Sequence, residues 1–284
     1  MTRKPALSTI AVHGAEIAFW NWPGDGPPVL FCHAAGFHAR IWDQVIAHLP
    51  KRRCLAFDAR GHGGSSKPAP PYPWRTFGAE AAALAESLEL DGAIGVGHSM
   101  GGHSVTLAAA LHPDAFSALV LLDPVIRAPD RYTGLWTETD FVAKRRNEWT
   151  SAQEMFERFA SRWPFDAWDR QVLRDYCEHA LAPASDGFVL ACPPAVEFSI
   201  YQHSTAVESN IYADIATIRI PVHVVRSGRY RDPANVMGGS PTMPNLAAHF
   251  ARGRDTCLPD YSHFIPMEAP ELTAKFVQEA LALL

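Results

Sequence analysis

The chain has 284 residues, of which 48% are hydrophobic and 19% charged, and its formal net charge is −5. This composition is typical of a globular protein and too apolar for a disordered chain. The interspersed 25 basic and 30 acidic residues disfavour a nucleic-acid partner or an anionic membrane surface.

Strand-like and helix-like patterns alternate through the first 125 residues. The strands are predicted at residues 7–13, 16–22, 28–33, 53–58, 93–97 and 118–122, and the helices at 40–49, 76–90 and 101–111. Continuous apolar runs such as residues 28–33 are typical of strands that are buried on both faces. The alternation therefore predicts a mostly parallel sheet covered by helices on both sides.

The pattern changes after Asp123. Residues 127–210 show helical periodicity only, are rich in aromatic side chains, and contain proline joints that divide them into about four helices. Alternation resumes with predicted strands at 221–226 and 255–258 and predicted helices at 244–250 and 270–284. We therefore expect an eight-stranded core domain, residues 1–126 and 211–284, interrupted by a helical insertion at 127–210.

The strongest chemical signal is Gly97-His98-Ser99-Met100-Gly101, between a predicted strand and a predicted helix. In a G-x-S-x-G turn the serine hydroxyl projects above the sheet, and the chain passes so tightly that both flanking positions need glycine. The backbone N–H of Met100 would then stand at a helix N-terminus beside Ser99. We predict that Ser99 is a nucleophile and that Met100 donates to an oxyanion.

A second oxyanion donor is expected where the strand at residues 28–33 ends. The loop there reads His33-Ala34-Ala35-Gly36, and its small residues let a substrate approach the backbone. The N–H of Ala35 is the candidate donor. His33 is expected to pack the loop instead of reacting.

A general base is expected near the C-terminus. A serine hydroxyl needs a base to accept its proton, and His263 lies in a loop between the last predicted strand and the last predicted helix. The chain has 13 histidines, and His263 has the place in the chain order serine, acid, histidine that accompanies such a turn. We predict that His263 is the base.

These motifs together resemble the α/β-hydrolase superfamily over nearly the whole chain. The matching stretches are His33–Gly36, Asp58–Ser65, Gly97–Gly102 and Ser262–Phe264, with Ala34 standing where the family usually has glycine. The resemblance implies an α/β-hydrolase fold with a doubly wound, eight-stranded sheet, and it places the family's helical cap at residues 127–210. It also implies that Asp58–Ser65 is a structural turn beside the site, without a chemical role.

The acid of the triad has two candidate positions in this superfamily. Asp123 ends the predicted strand 118–122, and Asp232 follows the strand 221–226. Asp232 lies one residue beyond the usual family spacing, and the arginines beside it suggest a solvated, ion-paired loop. An acid that orients His263 should be fixed and desolvated, so we favour Asp123 and keep Asp232 as the alternative.

The resulting function is a serine hydrolase that cleaves a carboxylic ester with a small to medium apolar acyl or alcohol group. C–C bond hydrolysis or lactone hydrolysis by the same triad, and ligand binding without catalysis, remain alternatives. No cofactor is needed, and no histidine spacing indicates a metal site.

Location and assembly follow from weaker signals. Five irregularly spaced cysteines, the lack of a signal peptide and the lack of an apolar run of roughly 20 residues predict a cytoplasmic protein without a membrane span. A homodimer could cover the aromatic surface of an open cap.

Overall fold

The structure, a computed structural model, describes residues 3–228 and 239–283. Its strands are, in chain order, β1 (Ala6–Val12), β2 (Ala15–Trp22), β3 (Asp25–Cys32), β4 (Arg52–Phe57), β5 (Ala93–His98), β6 (Phe116–Leu122), β7 (Glu148–Trp149), β8 (Leu181–Ala184), β9 (Gly187–Leu190), β10 (Val222–Ser227) and β11 (Gly253–Leu258). Eight of them form one sheet in the order β1-β2-β4-β3-β5-β6-β10-β11.

This sheet is parallel from β4 to β11, and only β2 runs antiparallel to its neighbours β1 and β4. The central strand β5 is buried at every residue, because helices cover both faces of the sheet. The edge strand β1 is mostly exposed. The predicted eight-stranded, mostly parallel fold is confirmed.

Helices pack on both sides of the sheet. They are α1 (Asp43–Ala47), α2 (Trp74–Ser87), α3 (Met100–Leu111), α4 (Asp140–Ala143), α5 (Ala152–Phe159), α6 (Arg170–His179), α7 (Pro194–Gln202), α8 (Tyr212–Ile215), α9 (Ile265–Glu268) and α10 (Pro270–Leu281). Helices α2 and α3 pack together over one apolar cluster, and α1 and α10 pack over the other. The parallel strands therefore end at one shared edge between these two layers.

The expectation that residues 127–210 are only helical is wrong. This segment, described throughout and called the 127–210 segment below, contains α4–α7 and also a small antiparallel sheet in the order β7-β9-β8. Strands β8 and β9 form a hairpin whose turn is Ser185-Asp186, and Gly187 follows it with φ 113°. A left-handed residue next to such a turn favours glycine, so Asp-Gly was the missed hairpin signal.

The predicted helix at 244–250 is also wrong, because only a single 3-10 turn, Leu246–His249, forms there. The chain on either side limits the length of this 3-10 turn. Thr242 is held by a hydrogen bond from its hydroxyl to the carbonyl of Pro124 (2.7 Å). Strand β11 already starts at Gly253, where a Cβ atom would lie 1.9 Å from the carbonyl oxygen of Ala247.

Two further features concern the chain as a whole. Across residues 3–228 and 239–283, no helix is long and apolar enough to cross a membrane. The core strands lie on both sides of the 127–210 segment in the sequence. The division into a core and a cap domain at these boundaries stays a prediction.

Candidate active site

Ser99 lies in the turn between β5 and α3, at the edge where the parallel strands end. Its backbone is in the left-handed region with φ 56°, a conformation that costs on the order of 1–3 kcal/mol and needs support from the surrounding structure. The flanking positions require glycine, because a Cβ atom there would clash with nearby backbone atoms. A Cβ at Gly97 would lie 2.3 Å from the carbonyl oxygen of Gly101, and one at Gly101 would lie 2.0 Å from that of Cys32.

His263 connects Ser99 to a carboxylate. It lies in the turn after β11, where its Nε2 is 3.0 Å from Ser99 Oγ and its Nδ1 is 2.7 Å from Asp123 Oδ2. Because an ionised carboxylate can only accept, Nδ1 carries the proton and Nε2 is free to accept the serine proton. All three side chains are buried, so the arrangement can activate a hydroxyl nucleophile.

Asp123 directly follows β6, has φ 43° and is fully buried. Ser227 donates to it from both its N–H and its hydroxyl, each at 3.0 Å. The hydroxyl of Ser240 adds a third hydrogen bond. The hydroxyl of Thr242, which donates to the carbonyl of Pro124, lies 3.2 Å from the same carboxylate. These donors replace the hydration that burial removes from the carboxylate. The structure thus brings Asp123 to His263, and the alternative Asp232 lies outside the described residues.

Sequence reasoning missed these serine and threonine side chains. A partial signal was available, because Ser227 ends β10, next to β6 in the sheet, and would reach the same edge as Asp123. Ser240 and Thr242 belong to the stretch between β10 and β11 and carry no recognisable motif. Only the strand order places them against the carboxylate.

His98 is a second missed residue. Its Nε2–H donates to the carbonyl of His263 at 2.8 Å, and burial lowers the pKa of His98 well below its usual value. The ring is therefore neutral and supports the backbone of His263. Its position inside the G-x-S-x-G turn was the available signal.

The loop that carries Ala35 is supported by two neutral histidines. His33 accepts the N–H of Ala59 at 3.0 Å and donates to the carbonyl of Ala34 at 2.7 Å. His62 accepts the N–H of Gly36 at 3.0 Å. Burial lowers the pKa of both histidines. This is the packing role expected for His33.

The turn at Asp58–Ser65 stabilises the chain next to the same loop through hydrogen bonds of Asp58. Asp58 accepts the N–H groups of Ala39 (2.7 Å) and Gly64 (2.8 Å). Its carboxylate fills the space beside Gly63, where a Cβ would lie 2.1 Å from an Asp58 oxygen. These contacts are structural, as the resemblance implies for this turn.

One of the two predicted oxyanion donors, Ala35, borders the same cavity as Ser99. That cavity also contains His263. Met100 is the first residue of α3, so its N–H is one of the helix N-terminal groups without an acceptor inside the helix. Their roles as donors stay a prediction.

Two cavities meet at Ala35 and Tyr201, which line both of them. The cavity that contains Ser99, called the Ser99 cavity below, has a volume of about 710 Å³ and many polar lining groups. The second, called the aromatic cavity, has a volume of about 380 Å³ and lies largely against the 127–210 segment. Its aromatic lining is Phe37, Phe141, Trp149, Phe159, Trp163, Phe165, Tyr176, Tyr201 and Phe264.

No group of potential metal-binding side chains is found within the described ranges. There, no three histidine, cysteine, aspartate or glutamate side chains are grouped so that they could hold a metal ion. The candidate site consists of side chains and backbone groups.

A comparison with protein families identifies one match. The model of the "Alpha/beta hydrolase family" matches residues 29–276. This range includes Ser99, Asp123 and His263 as well as the whole 127–210 segment.

Curated proteins give two informative matches. The 2-(acetamidomethylene)succinate hydrolase of Mesorhizobium japonicum is 26% identical over 264 residues, which cover 89% of this chain and 87% of that protein. The non-heme chloroperoxidase of Streptomyces lividans is 39% identical over 116 residues, which cover 39% of this chain and only 42% of that protein. The relatives therefore differ in the reactions for which they are named.

The crystal structure of E-2-(acetamidomethylene)succinate hydrolase is similar over the full length. Its TM-score is 0.77 at 21% sequence identity, and the match covers 98% of this chain and 99% of that chain. At this identity the likeness supports the fold alone.

Proposed function

The chain belongs to the alpha/beta hydrolase family, and we propose that it is a serine hydrolase that cleaves carboxylic esters through an acyl-enzyme intermediate. The observation that supports this proposal best is the continuous arrangement of Ser99, His263 and Asp123. Hydrogen-bonding distances of 3.0 and 2.7 Å join them, and the serine borders a cavity. This is the geometry that a serine nucleophile requires.

The reaction follows from the roles of these groups. Ser99 Oγ attacks the ester carbonyl while His263 Nε2 accepts the hydroxyl proton, and Asp123 stabilises the imidazolium that forms. The N–H groups of Met100 and Ala35 stabilise the oxyanion, with roughly 3 kcal/mol from each if both are aligned. His263 then protonates the leaving alcohol, and water releases the acid from Ser99 by the same steps in reverse.

The two cavities suggest that the two parts of an ester would lie on opposite sides of Ala35. One part of the substrate would occupy the Ser99 cavity, and an apolar part would extend into the aromatic cavity. A ring such as Phe165, which is stacked on Phe159 with centroids 4.3 Å apart, offers a flat apolar wall. We therefore propose a small to medium apolar group on one side of the scissile bond.

The name of the relative from Mesorhizobium japonicum describes an acidic substrate, a substituted succinate. For that reason acidic esters belong in the test of function beside neutral ones. The chloroperoxidase shares less than half of either chain, so it gives weaker guidance on substrate.

The first test is ester turnover with a matched nucleophile variant. We expect wild-type protein to hydrolyse p-nitrophenyl esters between acetate and decanoate, and Ser99→Ala to abolish turnover. A fluorophosphonate should label the wild type at Ser99. Ser104→Ala is the control, because this buried serine on α3 donates to the carbonyl of Met100 and should keep both labelling and turnover.

Other results of this test would favour a different function. Turnover restricted to lactones or to ring-cleavage diketones would favour lactone or C–C bond hydrolysis by the same residues. Absence of labelling together with absence of turnover on every ester would contradict the proposal and favour a ligand-binding role.

A further inference from the structure

Arg127 follows the site acid by four residues, on the connection from β6 into the 127–210 segment, and it lines the Ser99 cavity. Two tyrosines fix its backbone. Its N–H donates to the hydroxyl of Tyr132 at 3.1 Å, and its carbonyl accepts from the hydroxyl of Tyr212 at 2.9 Å. The backbone of Arg127 is therefore held in one place on the wall of the Ser99 cavity.

Arg127 is half-buried, and its guanidinium has no charged partner among the described residues. Its Nε is buried without an acceptor in the described part of the chain. No carboxylate of residues 3–228 or 239–283 forms an ion pair with it. Burial lowers the pKa of Arg127, and the positive charge of Arg131 lowers it further.

Two other arginines near buried carboxylates contrast with Arg127. Arg145 is paired with Glu197 at 2.7 Å, and Arg60 is paired with Glu80. Arginine stays charged inside proteins, and an uncompensated, desolvated charge is costly unless something pairs with it. Within the described residues, Arg127 therefore lacks the carboxylate partner that those two arginines have.

The remaining charged residues of the Ser99 cavity do not fill this role. Asp130, Arg131 and Glu138 also line the cavity, but all three are exposed and hydrated. Their charges are two negative and one positive, so they create no anion site of their own. Arg127 differs from them because it is half-buried and because its buried Nε has no acceptor among residues 3–228 and 239–283.

We propose that Arg127 binds a free carboxylate of the substrate, so that the preferred substrates are carboxylate-bearing esters such as half-esters of dicarboxylic acids. The planar guanidinium can form two parallel hydrogen bonds to a carboxylate, which positions the ester as well as holding it. The apolar part of the same molecule would occupy the aromatic cavity. This inference rests on the proposed ester hydrolysis at Ser99.

The test compares monoethyl esters of succinate, glutarate and adipate with neutral ethyl esters of matched chain length, with acid release followed in a pH-stat. We expect the wild type to have a kcat/KM at least about tenfold higher for the best half-ester. Arg127→Gln should lower this preference by about 10- to 100-fold, mainly through KM, because a hydrogen-bonded charge pair contributes about 1.5–3 kcal/mol. Arg127→Lys, which keeps a point charge, should retain part of it.

Arg131→Gln is the matched control, since it removes an exposed cation from the same cavity. It should change the half-ester preference less than about threefold, because exposed charges act through water and salt. An equal loss in Arg131→Gln and Arg127→Gln would overturn a specific site at Arg127. No preference for half-esters in a wild type that hydrolyses neutral esters at Ser99 would overturn this inference and leave the proposed function standing.

A binding measurement covers the case in which no ester is hydrolysed and the proposed function fails. Succinate, glutarate or adipate should raise the Tm of Ser99→Ala, whereas the corresponding neutral diamides should not. The additional variant Arg127→Gln should remove the rise. No rise with any dicarboxylate would overturn the anion site.

Discussion

The carboxyl edge of the central sheet and the 127–210 segment contribute different things to the candidate site. At the edge, Ser99, Asp123 and His263 are held by short, directional hydrogen bonds and by glycines that no other residue could replace. The segment contributes aromatic side chains and a cavity wall. The difference suggests that the edge determines which reaction occurs, while the segment determines which molecule enters.

The largest expected effect on turnover comes from replacing the acid at the carboxyl edge of the sheet. Asp123→Asn should lower kcat for a p-nitrophenyl ester by about 10⁴-fold, because asparagine can donate to His263 Nδ1 and stabilise the wrong tautomer. The Tm should fall less severely, since the side chain keeps nearly the same shape. Steady-state kinetics and a thermal scan measure the two quantities.

The control for this prediction is the alternative acid. Asp232→Asn should keep kcat within a few-fold of the wild type. The opposite result, a large loss in Asp232→Asn with little change in Asp123→Asn, would transfer the acid role to Asp232.

A smaller effect, on stability, is expected at a contact between α3 and the 127–210 segment. His103 on α3 donates from Nε2 to the carbonyl of Ser209 at 2.9 Å, and burial lowers the pKa of His103 to about 4. In the unfolded chain its pKa is about 6.5. As the pH falls from 7 to 5, the unfolded state therefore gains a proton that the folded state does not, and stability is lost, by about 2 kcal/mol for this residue.

Urea unfolding at pH 7, 6 and 5 measures this loss. In His103→Gln, which keeps an amide donor for Ser209, the decrease from pH 7 to pH 5 should be smaller by about 2 kcal/mol than in the wild type. Other buried histidines with lowered pKa values, such as His98, add to the decrease in both proteins. His13→Gln, at an exposed position, should follow the wild type, and identical curves for all three proteins would contradict the prediction.

The smallest effect is expected in the aromatic cavity. Phe165→Ala removes one ring of the stack with Phe159, and it should raise KM for a hexanoate ester by roughly tenfold relative to an acetate ester, because apolar contact area is lost. The kcat for acetate should change little. Phe141→Ala serves as the comparison, since its side chain is 49% exposed in the structure and loses less buried area. A ratio of the two KM values that is the same in Phe165→Ala as in the wild type would show that this cavity does not contact the substrate.

The sequence by itself determined the elements with strong local patterns. The apolar strands around β5 and the turn at Ser99 were predicted correctly because burial on both faces and a glycine-flanked serine leave a signal within a few residues. The family was recognisable for the same reason, and the family comparison confirms it. The signal was weaker in the β8–β9 hairpin and at residues 244–250, where the neighbours decide between a helix, a strand and a turn.

Tertiary structure decided which distant groups meet. His263 reaches Ser99 across 164 positions and Asp123 across 140, and the strand order alone brings Ser227 beside Asp123. Hydrogen-bonding patterns of this kind depend on the order and direction of strands, which side-chain periodicity does not encode. The buried Nε of Arg127, which has no acceptor among the described residues, was likewise not predictable from the sequence, because hydrogen-bond partners depend on the folded surroundings of a residue.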